Sequence, residues 1–207
     1  MNIQFRPAAP EDADALTPLV YASGPDTFNY VFTAPRRRVD AQRFLRGTLR
    51  QQPGEFGYGV HTVGVADGRV VAGGTGFDAP MLANAMVVNL RQIVSAFGIA
   101  ASVGVIRRGL AVEHLMPPPK GDQWYIAHLG VLPEMRSHGF GAQLVQELLA
   151  QGRARGRKVA TLDCSLENPR AQALYERLGF SVISEVKANL RNAHGHVPGF
   201  RRMALGL

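Results

Sequence analysis

Cysteine is almost absent: the 207 residues hold one, Cys164. A lone thiol excludes an internal disulfide framework and any multi-cysteine zinc or iron–sulfur site. It fits a reducing compartment, so a cytoplasmic location is the default expectation. An apolar leader is missing too. The opening residues, MNIQFRPAAPEDADAL, carry an arginine and acidic residues where a secretion signal needs an unbroken apolar stretch, so export is not expected. The most membrane-like segment, 92–106, has 15 uncharged residues between Arg91 and Arg107. A spanning helix needs roughly 17–25, so this segment reads as buried helix and no membrane partner is expected. Repeats, low-complexity tracts and interdomain linkers are also lacking, which points to one domain over residues 1–207.

Acidic charge is in short supply, with 16 Asp+Glu against 23 Lys+Arg and a formal net charge of +7. The average partner of such a chain is anionic: nucleic acid, an acidic membrane surface, or a phosphate-bearing small molecule. The densest basic clusters are Arg36, Arg37, Arg38 and the group Arg153, Arg155, Arg157, Lys158. Neither is interleaved with aromatic residues as a base-stacking platform would be, so both read as solvated or helix-end charge. What the chain does have is 46% apolar residues, enough at this length to bury a substantial core.

The pattern predicts a strand at 3–6, a helix from the acidic pair Glu11 and Asp12 to about residue 22, and a second helix over 40–51. Two Val- and Thr-rich runs, 57–65 and 69–77, are separated by Ala66, Asp67 and Gly68 and read as a hairpin. A helical segment over about 80–121 is expected to break near Gly98. It ends in the proline run Pro117, Pro118, Pro119, which can only be a loop, a hinge or lip. Strands and helices then alternate: strand 124–132, helix 140–154, strand 159–164, helix 169–178, strand 180–186. A polar loop over 188–196 and a final strand over 197–205 close the chain. The class is α/β, in the α+β mixed-sheet sense.

Two local constellations carry chemistry. After Val131 the chain reads Leu132, Pro133, Glu134, Met135, Arg136, Ser137, His138, Gly139, Phe140, Gly141, Ala142 and enters a helix. Glycines allow close backbone approach, and the first helical N–H groups have no internal partner, so this turn is a candidate anion site. It has neither the GxxxxGK[ST] spacing of a P-loop nor the GxGxxG spacing of a dinucleotide turn, since position 144 is Leu144. The second is a short helix bracketed by Asn168 as N-cap, Pro169 at its first position and Gly179 just past its end. Ala171, Leu174, Tyr175 and Leu178 recur there at helical spacing, so the Tyr175 ring faces inward and its hydroxyl needs a partner.

Taken in order, Leu129-Gly130-Val131, then Arg136xxGly139xGly141, then Asn168-Pro169-Arg170-Ala171-Gln172-Ala173-Leu174-Tyr175-Glu176-Arg177-Leu178-Gly179-Phe180 resemble the GCN5-related N-acetyltransferase (GNAT) superfamily. The resemblance implies a central, splayed mixed β-sheet flanked by helices, with acetyl-CoA between strands 124–132 and 159–164. It implies that Arg136, Ser137, His138, Gly139, Phe140, Gly141 and Ala142 hold the pyrophosphate, chiefly through backbone donors. The Leu129 N–H would polarise the thioester carbonyl, the Val131 backbone and Asn168 would bond the pantetheine arm, and Tyr175 would protonate the departing thiolate. A phenol of pKa about 10 is protonated at pH 7 and suits that role. The implied enzyme is an acetyl-CoA-dependent acyltransferase acting on a small-molecule or peptide amine by direct attack in a ternary complex. A homodimer is compatible with it, and nucleic acid is not the expected partner.

The acceptor side is less defined. An amine of pKa about 10.4 must lose a proton before attack, at about 4.6 kcal/mol at pH 7, so a base or water chain is needed. Strict alternation turns Tyr125, Ala127 and Leu129 inward and His128 to the opposite side, which leaves no carboxylate or histidine facing the site. Glu113 and His114, before the proline run, are candidates to fold over the acceptor mouth. Glu134 reads as a surface or capping carboxylate, His194 and His196 are too sparse for a metal, and Cys164 reads as packing rather than an acyl carrier. The missing base and the +7 balance keep open an alternative, a non-catalytic acyl-CoA sensor or a basic nucleic-acid-binding module on the same fold.

Overall fold

The computed structural model describes residues 2–207. Strand β1 (Gln4–Pro7) leads through a 3-10 turn into helix α1 (Ala13–Ala22). Asp12 locks that entry: both its oxygens accept from Arg6, at 2.6 and 2.8 Å, and one also accepts from the Ala9 N–H at 2.8 Å. The paired guanidinium holds the Asp12 carboxyl below its ordinary range. Helix α2 (Pro25–Phe32), which the sequence pattern did not suggest, is followed by α3 (Ala41–Leu49), whose N-cap Asp40 accepts from the Arg43 N–H at 2.8 Å.

Strands β2 (His61–Ala66) and β3 (Arg69–Phe77) form the expected hairpin, turned by Asp67 and Gly68 at φ 48° and 74°. Helix α4 (Ala79–Leu115) is capped by Asp78 and interrupted at Gly98, where φ is 71°. The break expected there is real, and a Cβ at Gly98 would lie 2.7 Å from the Arg37 guanidinium. Thereafter come β4 (Gln123–Val131), α5 (Phe140–Ala154), β5 (Val159–Ser165), α6 (Pro169–Arg177) and β6 (Ser181–Val186). The segment expected as polar loop instead forms the small hairpin of β7 (Leu190–Arg191) and β8 (His196–Val197), so the last strand, β9 (Phe200–Gly206), starts later than expected.

The main sheet has seven strands in the order β1-β2-β3-β4-β5-β9-β6. Only β4 and β5 run parallel, so the sheet is mixed but mostly antiparallel. One face is covered by α1, α2, α3 and part of α4, with Leu16, Leu45 and Phe97 fully buried. The other is covered by α5, whose Leu144 and Leu148 pack with Trp124 and Met203, and the Trp124 indole N–H donates to the Leu148 carbonyl at 2.8 Å. Gly130 is where α1 meets the sheet: a Cβ there would come 2.2 Å from the Leu19 carbonyl oxygen, so no side chain fits.

Candidate active site

Strands β4 and β5 pair only from Gln123↔Val159 to Tyr125↔Thr161. Beyond that rung β4 stays with β3 and β5 with β9, so the sheet splays and leaves an open edge of β4 facing a cleft of about 1550 Å³. The point of divergence is tied off by side chains. The Tyr125 hydroxyl donates to Asp163 Oδ2 at 2.8 Å, and Arg202 donates to both Asp163 oxygens at 3.0 and 2.6 Å while lying over the Tyr125 ring. Arg202 also donates to the Pro117 carbonyl at 2.7 Å, which anchors the proline lip to the apex of the cleft.

One end of the cleft is an anion cradle. Ser137 and Gly139 both have positive φ, 67° and 81°, and α5 starts at Phe140 with no side-chain cap. None of the backbone N–H groups of Ser137, His138, Gly139, Phe140, Gly141 and Ala142 finds an acceptor among the described residues. The N–H at a helix start carries partial positive charge, so this run suits a diphosphate. Arg136, Ser137, Gly139, Phe140, Gly141 and Ala142 line the cleft, as do Leu129, Val131 and Asn168. The His138 side chain does not: it is exposed, with Nδ1 2.9 Å from the Arg136 carbonyl, and only its backbone belongs to the turn. Asn168 spends its side-chain oxygen on the Ala171 N–H at 3.1 Å, which leaves its amide NH2 to face a ligand. Arg170 and Arg177, to which the motif assigned no task, also line the cleft, and Arg170 reaches the cradle, donating to Ser137 Oγ at 2.9 Å.

Tyr175 stands on the opposite wall, its ring edge-on to Phe180. Its hydroxyl makes no protein hydrogen bond among the described residues, nor is it a sealed, unpaired polar atom, so it opens on the cleft. Burial raises its pKa above the ordinary phenol value, which keeps the proton in place. Cys164 lines the same region, and burial pushes its thiol up to about 11. A neutral thiol at pH 7 is a poor nucleophile, consistent with a packing role.

The other end of the cleft is apolar and aromatic, with Phe28, Phe32, Phe44, Phe56, Val112 and Met116 on its walls. Here the expected alternation of β4 fails. Thr75 pairs with Ala127 but Gly73 pairs with Gly130, so β4 carries an extra residue, and His128 sits in it at φ 57°. The bulge reverses every later side chain: Leu129 and Val131 pack with the α5 core, and His128 joins Tyr125 and Ala127 on the cleft side. The expected opposite orientation of His128 is thus corrected. Its ring stacks on Phe56 with centroids 5.0 Å apart, and its Nδ1 lies 3.1 Å from His61 Nε2.

Glu55 was not anticipated either, because a glutamate in a Gly- and Pro-rich turn carries no sequence signature. It lines the cleft beside Asn89 of α4, whose side-chain oxygen accepts from the Glu55 N–H at 2.9 Å. Burial and the nearby Glu113 push its carboxyl up to about 7. Glu113 lines the cleft, whereas His114 does not. Glu134 is exposed and 3.8 Å from Arg69, and His196 lies between Asp26 and Glu167. Among the described residues no group of three or more metal-ligating side chains gathers.

Comparison with known proteins shows the family and the fold. The model of the acetyltransferase (GNAT) family matches residues 34–180. A relative, the 5-NmdU N-acetyltransferase of Pseudomonas phage PaMx11, is 31% identical over 87 residues, 42% of this chain and 58% of its own length. The chain therefore spans little more than half of that curated relative. Among solved structures, an N-acetyltransferase from Staphylococcus aureus Mu50 superposes with a TM-score of 0.65 at 14% identity over 98% of this chain and 100% of its own. The Drosophila melanogaster polyamine N-acetyltransferase gives 0.58 at 20% identity over the full length of both chains. With the family model spanning well over half of its residues and the splayed sheet in place, the chain belongs to the acetyltransferase (GNAT) family.

Proposed function

We propose that the chain moves an acetyl group from acetyl-CoA to a primary amine by direct attack within a ternary complex. The observation that carries this reading is the pairing of an unpartnered N–H cradle with an unpartnered phenol across one splayed cleft. The cradle suits the coenzyme diphosphate, with Arg136 and Arg170 adding positive charge around it. The open edge of β4 supplies backbone groups for the pantetheine arm at Val131 and for the thioester carbonyl at Leu129, where one well-aimed donor is worth about 2.7–4 kcal/mol. Tyr175 gives its proton to the departing sulfur.

The opposite end supports an amine with an apolar body. The phenylalanine walls accept carbon, while Glu55 and Glu113 set two carboxyls beside them on the α4 side of the cleft. A carboxyl poised near pH 7 can hold an arriving ammonium and take a proton from it. Thiol release from acetyl-CoA, measured across a panel of amines, tests the reading. Turnover with apolar primary amines supports it, and coenzyme binding in calorimetry with no thiol release from any amine would leave a sensor.

A further inference from the structure

We propose that His128 is the group that takes the proton of the attacking nitrogen, and that His61 and the Gly57 carbonyl fix the tautomer that leaves its Nε2 lone pair facing the cleft. The inference rests on the acetyl-transfer reading for its chemistry. Its structural half stands without that reading.

The hydrogens along this chain follow from one group that can only accept. The Gly57 carbonyl lies 2.7 Å from His61 Nδ1, so that nitrogen carries a hydrogen and donates it. Burial drives His61 down to about 4, against the opposing pull of the Gly57 carbonyl, and burial together with the neighbouring His61 holds His128 well below its ordinary value. Both imidazoles are therefore neutral at pH 7 and carry one hydrogen apiece. His61 Nε2 is bare, and the His128 Nδ1 at 3.1 Å must donate to it. His128 Nε2 is then bare in turn.

The rings are held for this. Their planes differ by 12° with centroids 5.3 Å apart, the spacing of imidazoles bonded edge to edge in one plane rather than stacked face to face. Phe56 covers one face of His128 and Phe28 lies obliquely at 6.1 Å. Nε2 has no protein partner, and it is not sealed away as Arg157 Nε and Thr161 Oγ1 are, so it opens on the cleft. The charged and titratable groups on the surrounding walls are His61 on β2, Glu55 in the turn before it, Tyr125 on β4 and Glu113 on α4. Only the bulge makes this possible, since a regular strand would bury His128 under α5.

The step balances. A bond forms between the amine nitrogen and the acyl carbon, the carbon–sulfur bond breaks, Tyr175 gives its proton to sulfur, and the nitrogen's proton passes to His128 Nε2. An imidazole of depressed pKa is too weak to strip a free ammonium but adequate for a nitrogen already bonded to the acyl carbon. Glu55 prepares the amine, and His128 completes its deprotonation. His61 touches no reactant and is a positioning residue.

Two measurements test this. In the wild-type protein labelled with 15N-histidine, two-bond 1H–15N spectra at about pH 7 should show both His61 and His128 as Nδ1–H tautomers, assigned by the loss of signals in His61→Gln and His128→Gln. An Nε2–H or doubly protonated His128 overturns the proposal. In thiol-release assays His128→Gln should lower kcat about 10²–10⁴-fold with KM for acetyl-CoA unchanged. His61→Gln, which still offers an acceptor to His128, should keep most of the activity that His61→Phe loses, and the acidic limb of the kcat–pH profile should move with it. Full kcat in His128→Gln, beside an active wild type, refutes the base role alone. A wild type that turns over no amine refutes the acetyl-transfer reading and the base role with it, while the tautomers remain as measured.

Discussion

The hydroxyl of Tyr125, on the last rung where β4 and β5 are still paired, reaches the carboxylate of Asp163 two residues beyond that rung at 2.8 Å. Asp163 is 3% exposed and Arg202 12% at their side chains, so this is a buried ion pair capped by a phenol. Desolvation and the adjacent carboxylate raise the Tyr125 pKa well above the usual phenol value, which keeps it a donor at every pH the protein meets. Removing one partner strands the other charge. Asp163→Ala should cost about 3–5 kcal/mol in urea unfolding, whereas Tyr125→Phe, which leaves the ion pair intact, should cost about 1–2 kcal/mol. Equal costs would show that the three groups do not act as argued.

The proposed reaction gives the phenol on α6 a different task. Tyr175→Phe removes a proton donor without changing shape, so kcat should fall about 10²-fold or more while the coenzyme dissociation constant stays within about twofold. An unaltered kcat would remove Tyr175 from the reaction.

In the cradle, shape and charge can be separated at one residue. A Cβ at Gly141 would meet Leu174 and Val131 at 3.6 and 3.7 Å, ordinary contact distances. Gly141→Ala should therefore bind coenzyme A almost normally, and Gly141→Asp should abolish binding by setting a carboxylate against the diphosphate. Calorimetry on both variants decides, and retained binding in the aspartate variant would move the anion site elsewhere.

Stability should carry two opposing pH dependences. The folded chain keeps the Glu55 proton up to about pH 7, while the unfolded chain releases it near the ordinary 4.5. Holding that carboxyl therefore costs stability as pH rises through this window. His61 runs the other way: it stays neutral down to about 4, whereas the unfolded chain binds a proton below 6.5, so stability is lost as pH falls. Glu55→Gln removes the first dependence. The variant should gain up to about 3 kcal/mol over wild type at about pH 8, and it should lose stability more steeply than wild type on going to about pH 5. Parallel profiles of urea midpoints would contradict the buried carboxyl.

The half of the chain after the proline lip was legible because its signals are local. Gly139, Gly141, Asn168 and Pro169 each impose a backbone state on their own neighbours, so turn and caps fall where the sequence puts them. Helix α2 was missed because its Phe28, Tyr30, Val31 and Phe32 are aromatic and β-branched, and burial under α4 and β8 rather than propensity makes them helical. His128 was turned the wrong way because alternation assumes a regular strand. The extra residue in β4 answers to the register of β3, and to the close approach of α1 at Gly130, neither of which is visible along the chain. Glu55 and His61 reach the site only through tertiary packing.

Gly98 divides α4 into arms that lean mainly on α2 instead of the sheet, and those arms hold much of the apolar wall of the acceptor end. On the proposed reading, the grip on the coenzyme and the choice of nucleophile reside in different elements of the molecule. If that reading holds, substitutions along 79–115 should trade one amine for another while the acyl donor's berth keeps its dimensions, which makes this bent helix the natural place to diversify selectivity by laboratory evolution.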